Sequence, residues 1–121
     1  MTVGYKGERI DLLIKQGCDF SADGFVTLNG SSVDLSGSAI HAYMKRGLKS
    51  LEAPIDFVCF VVDPMAGQYS ISLDHNSTSL LGCSEIETDP MSRYEWEMLV
   101  VEASGRKSPL AYGTVYLNRN L

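Results

Sequence analysis

Several things are scarce in this 121-residue chain. No apolar stretch approaches the roughly 18 residues that a membrane-crossing helix needs, so no such helix is expected. Residues 1–9 are polar and lack the apolar run of an export signal. Cysteine is confined to Cys18, Cys59 and Cys83, an odd number without metal-ligand spacing. Three thiols and no export signal point to folding in a reducing cytoplasm. Basic residues number 10 against 15 acidic ones, giving a net charge of -5. Phosphate backbones are gripped by basic faces, so a nucleic-acid partner is not expected. Lys45, Arg46 and Lys49 do cluster, but they read as a solvated strand edge that deters pairing.

Chemistry-bearing motifs are also missing. The imidazoles are His41, on the outward side of an alternating segment, and His75, in a turn beside Asp74 and Asn76. No nucleophile-elbow motif surrounds a serine, so both histidines read as surface residues and no enzyme is expected. Glycines are scattered as turn residues and form no phosphate cradle. Glu85, Glu87 and Asp89 make an acidic loop without the Asp-x-Asp-x-Asp-Gly order of a calcium loop. That loop reads as solvated charge, and no metal or other cofactor is expected.

What remains is ordinary globular material, 45% hydrophobic and 21% charged, enough for one domain with its own core. The organising signal is a tight turn followed by alternation. Asp34-Leu35-Ser36-Gly37 supplies short side chains that bond nearby backbone and a glycine that takes positive φ cheaply. In Ser38–Lys45, Ile40, Ala42 and Met44 then share one face, with His41, Tyr43 and Lys45 on the other, the period of a half-buried strand.

The same grammar recurs. Arg9–Lys15 predicts a strand, Gly17–Gly24 a loop, and Phe25–Leu28 a short strand before the Asn29-Gly30 hairpin signal. Arg46–Pro54 reads as a polar excursion with a half-turn of helix at Leu48–Leu51. Ile55–Val62 is nearly all apolar and predicts a central strand buried on both faces, with Cys59 in the core. Asp63-Pro64-Met65-Ala66-Gly67 turns the chain into a strand over Gln68–Leu73. Asp74–Leu81 predicts a short helix capped by Asn76 or Ser77, and Gly82–Met91 the acidic loop. Ser92–Ala103 and Pro109–Leu117 are the last strands, joined at Ser104-Gly105-Arg106-Lys107. Cys18 and Cys83 lie in loops, and spacing does not set their distance. Seven to eight strands with regular turn signals, plus one short helical turn, predict an antiparallel β-sandwich.

The ordered series resembles a known family. It comprises Asp34-Leu35-Ser36-Gly37, Asp63-Pro64 with Gly67-Gln68-Tyr69, Ser70–Leu73, Arg93-Tyr94-Glu95-Trp96-Glu97, and Gly105 with Gly113-Thr114-Val115. In this order it is similar to the small immunoglobulin-like β-sandwich domains of tailed-bacteriophage virions, in baseplate, tail-fibre-attachment and neck or head accessory proteins. The resemblance spans Glu8–Leu121. It implies an immunoglobulin-like, non-enzymatic virion component, present in several copies, that docks other tail, baseplate or neck proteins.

The division expected is an N-terminal arm over 1–8 and one sandwich over 9–121. Tyr94 and Trp96 alternate with Glu95 and Glu97, so the rings are expected inside and the carboxylates outside. The expected core comprises Ile40, Met44, Phe57, Val61, Tyr69, Ile71, Leu73, Trp96, Met98 and Val115. Tyr5, with Lys6 beside it, Tyr43 and Tyr116 are the candidate interface residues, since tyrosine gives large contact area at low entropy cost. The competing function is a carbohydrate-binding module for host-surface glycans, in which exposed aromatics stack on sugar rings.

Overall fold

Short-range chemistry sets the turns where the sequence puts them. Asn29 and Gly30 both take positive φ, 53° and 81°, and join β4 (Thr27–Leu28) to β5 (Ser31–Ser32) as a small hairpin. Asp34 Oδ1 accepts from the Ser36 N–H at 2.9 Å and the Ser36 hydroxyl at 2.6 Å, and Gly37 follows at φ 77°. This turn is fastened to the next one by the Leu35 N–H donating to the Pro64 carbonyl at 2.8 Å. Gly67 (φ 70°) lies against the carbonyls of Val26 and Val33. A β-carbon there would strike fixed backbone.

The computed structural model describes residues 7–46, 54–81 and 91–118, apart from the side chains of Met91 and Ser92. These residues form an all-β sandwich with one short helix. The large sheet contains β1 (Glu8–Arg9), β2 (Leu12–Lys15), β6 (Ala39–Lys45), β7 (Ile55–Asp56), β10 (Met91–Val101) and β11 (Lys107–Asn118). Its order is β1-β11-β10-β6-β7, with β2 following β1 along the same edge of β11. β1 and β2 run parallel to β11, and the other pairs are antiparallel. The small sheet is β3 (Phe20–Phe25), β9 (Gln68–Leu73) and β8 (Val58–Asp63), with β9 in the centre.

The predicted alternation of β6 and β10 holds. Ile40, Ala42 and Met44 are buried opposite Tyr94, Trp96, Met98 and Val100 on the neighbouring strand. Ile71 and Leu73 close the core from the small sheet. Of the expected core, Val61 and Tyr69 are half-buried and the rest are buried. Phe57 bridges the sheets: its ring meets Trp96 edge-on at 6.2 Å and Phe20 at 6.1 Å. Such ring pairs contribute beyond their buried area.

Three segments differ from the sequence reading. The loop expected over Gly17–Gly24 contains β3, whose Phe20 and Ala22 pack against the core while Ser21 and Asp23 face out. Pairing with β9, about fifty residues away in sequence, overrides its turn-like composition. The first predicted strand is broken at Ile10–Asp11, where the Asp11 carboxylate accepts from the Thr114 N–H at 3.0 Å in place of a backbone partner. Glu8, the last residue of the expected arm, pairs with Ala111. The expected central strand Ile55–Val62 divides at Phe57: β7 joins the large sheet, and β8 becomes an edge of the small one.

The helix α1 (His75–Ser79) is capped by Asp74 rather than Asn76 or Ser77, its carboxylate accepting from the Ser77 N–H at 2.8 Å. Asp carboxylates hold donors in this way at three points. The Ser36 hydroxyl, then its N–H, hold Asp34 below the ordinary carboxylate range. The Ser77 N–H, then its hydroxyl, lower Asp74. The His75 ring, then the His75 N–H, lower Asp19. A carboxyl depressed on folding contributes stability that is fully present above its unfolded value, about 3.9, and is lost as pH falls through the folded value. Melting temperature is therefore expected to drop below about pH 4, and Asp34→Ala with Asp74→Ala to flatten that acid limb. Thermal melts across the acid range check this.

The half-turn expected at Leu48–Leu51, Lys49, Cys83, and the acidic Glu85, Glu87 and Asp89 lie outside the described residues.

Candidate protein-docking faces

Each sheet turns one face to the core and one to solvent, so the parity of every strand decides what a partner meets. On the large sheet that parity puts Tyr43, Glu97 and Tyr112 in one row across β6, β10 and β11. The Tyr43 hydroxyl donates to Glu97 Oε1 at 3.1 Å, and the His41 ring lies 5.5 Å from the Tyr43 ring. Burial, then the nearby Glu97 carboxylate, holds the Tyr43 phenol above its ordinary range. Tyr43 is half-buried, and Tyr112 is more exposed. A shallow hollow here is lined by Tyr43, Lys45, Glu95, Trp96 and Glu97. His41 is exposed and pairs with Asp56 at 3.3 Å.

Tyr116 sits on the same outer face, under the Arg93 guanidinium, which lies 5.7 Å from its ring centre. Register places it opposite Arg93, with β10 between it and β6. From strand spacing it is about 10 Å across and about 13 Å along the sheet from Tyr43. The two predicted tyrosines therefore share a face but not a single contact spot. Tyr5 and Lys6 lie outside the described residues. Tyr112 was not singled out from sequence, although it alternates with Ala111 and Gly113 in the same outward parity as Tyr116.

Trp96 points inward as expected. It is 4% exposed, and its indole N–H donates to the Ile10 carbonyl at 2.7 Å. That rules it out as a sugar-stacking platform. Cys59 is half-buried against the core, with burial raising its thiol pKa, while Cys18 is exposed. His75 is exposed, its ring 3.0 Å from Asp19. Among the described residues, no group of three or more His, Cys, Asp or Glu side chains is placed to hold a metal ion. No helix there is long and apolar enough to cross a membrane.

The small sheet has the more unusual outer face. Val58, Phe60 and Val62 project from β8 with 51%, 60% and 55% of their surface exposed. The register sets Val58 beside Ser72 and Phe60 beside Ser70 on β9, and Ser70 beside Asp23 on β3. Phe25 and, in the turn after β8, Met65 are also exposed, at 60% and 77%. A row of large exposed apolar side chains thus lies along one side of the small sheet, bordered by serines. The sequence reading missed this face, because an apolar run looks the same whether both sides are covered or one is bare.

No protein-family description and no curated protein matches the sequence. Solved structures do show similarity. The N-terminal domain of ORF48 of phage TP901-1 is 13% identical, with a TM-score of 0.46 over 95% of this chain and 98% of that one. Murine CRIg is 9% identical, with a TM-score of 0.39 over 92% of each chain.

Proposed function

We propose that this chain is a non-enzymatic structural module of a tailed-phage virion, docking other tail, baseplate or neck proteins and present there in several copies. The observation that carries the docking part is the bare apolar row Val58, Phe60 and Val62 on the edge of the small sheet. Soluble monomers rarely leave contiguous apolar patches open, and those that do use them for association. The virion setting is supported by the motif order, from Asp34-Leu35-Ser36-Gly37 to Gly113-Thr114-Val115. The net charge of -5 favours solubility of the free subunit before assembly.

The test is co-sedimentation with the purified tail fraction of its phage. The wild-type chain is expected to travel with the particle. The double variant Phe60→Thr/Val62→Thr is expected to stay in the supernatant with a melting temperature close to wild type, since both side chains are already in solvent. Undiminished co-sedimentation of that variant would sink the assignment of docking to this face.

The glycan reading retains one observation in its favour, the row Tyr43–Glu97–Tyr112, two rings flanking a carboxylate on an open sheet face. A glycan array giving specific hits that Tyr112→Ala abolishes would move the assignment there.

A further inference from the structure

We propose that β8 accepts an extended apolar segment of a partner protein, flanked by Lys or Arg, as a fourth strand of the small sheet. This rests on the docking reading and specifies how the partner is held. β8 is an end strand of the small sheet: β9 pairs with it on one side, and β6 of the large sheet packs close to it where it follows β7. Among the described residues, Val58–Val62 make no backbone hydrogen bond on the other. Edge strands are normally guarded by lysine, proline or a covering element. Val58–Val62 contain no charge and no proline, and a register shift between Val61 and Asp63 ends the regular edge there. The accessible edge is therefore short, and its outward side chains Val58, Phe60 and Val62 supply the apolar shelf on which alternate residues of an added strand would rest.

Charge selects the occupant. Asp56 and Asp63 bracket Val58–Val62 along the chain, and β3, β8 and β9 carry no Lys or Arg. A second copy of the chain, pairing β8 with β8, would bring up the same two carboxylates and no cation. A basic-flanked segment provides the missing charge, and like-charge juxtaposition disfavours the self-pair.

The probe is a fluorescent peptide, Lys-Val-Thr-Val-Thr-Val-Lys, titrated into the full chain by anisotropy. Two companions carry Glu at both ends, or N-methyl groups at alternate residues that remove the hydrogen-bonding edge. The Lys-flanked peptide is expected to bind and to slow amide exchange over Val58–Val62. The Glu-flanked peptide is expected to bind at least ~10-fold more weakly. The N-methylated peptide is expected to show no binding, and Phe60→Thr to abolish binding of the other two. Equal binding of the N-methylated peptide, or no binding of the Lys-flanked one, would overturn strand addition. So would a Phe60-dependent dimer of the chain alone, which would make the second copy the occupant. If the peptide arm fails while Phe60→Thr/Val62→Thr still abolishes co-sedimentation, docking stands and strand addition falls. If that variant co-sediments undiminished, the docking reading falls first.

Discussion

Replacing Gly113 with alanine is expected to destabilise the chain by about 3 kcal/mol, the upper end of what an overpacked core costs. Gly113 faces the core on β11, opposite Trp96. A β-carbon there would collide with the carbonyl oxygen of Ile10, and that atom belongs to backbone rather than to a flexible side chain. The backbone has little room to retreat, because it is fastened at three points. The Ile10 N–H donates to the Tyr112 carbonyl at 2.8 Å. The Thr114 N–H donates to Asp11 at 3.0 Å, and the Ile10 carbonyl accepts from Trp96 at 2.7 Å. Relief requires peeling β1 and β2 from the edge of β11. Chemical denaturation of Gly113→Ala measures this, and a change under about 0.5 kcal/mol, the size of a neutral surface substitution, would contradict it.

Trp96→Ala is the second large effect, about 3–5 kcal/mol, since it empties the centre of the core beneath Phe57. Trp96→Phe separates two contributions. It retains most of the apolar ring but leaves the half-buried Ile10 carbonyl without its indole donor, a loss of about 0.5–1.5 kcal/mol. The two sites act on one carbonyl, so Gly113→Ala and Trp96→Phe are expected to combine non-additively. Additive unfolding free energies in the double variant would mean that Ile10 does not link them.

These two residues also show what the chain discloses before its fold is seen. The inward direction of Trp96 was legible, because Tyr94, Trp96 and Met98 alternate with Glu95 and Glu97. So were the turns at Asn29-Gly30, Asp34–Gly37 and Ser104–Lys107, each fixed by residues within four positions of one another. The need for glycine at 113 was not legible, since its neighbour Ile10 lies a hundred residues earlier and reaches it only through sheet pairing. β3 was hidden for the same reason: Ser21, Asp23 and Gly24 have loop chemistry, and only β9 makes them a strand.

The proposed docking face was half legible. The apolar content of Val58–Val62 is plain in the sequence, but its exposure depends on Phe57 turning the chain from one sheet into the other. The alternation of Ser38–Lys45 put Tyr43 on the side away from Ile40, Ala42 and Met44, where it lies half-buried, and the same parity on β11 would have found Tyr112. The separation of Tyr43 and Tyr116 along the sheet followed only from the register of β6, β10 and β11.

Hydrogen exchange read on the chain mixed with the tail fraction of the phage proposed to carry it tests the proposed docking face most directly. Exchange is expected to slow across Val58–Met65 relative to the free chain, with the outer face of the large sheet around Tyr43 and Tyr116 unchanged. Protection confined to that large-sheet face, with Val58–Met65 exchanging as in the free chain, would contradict this expectation.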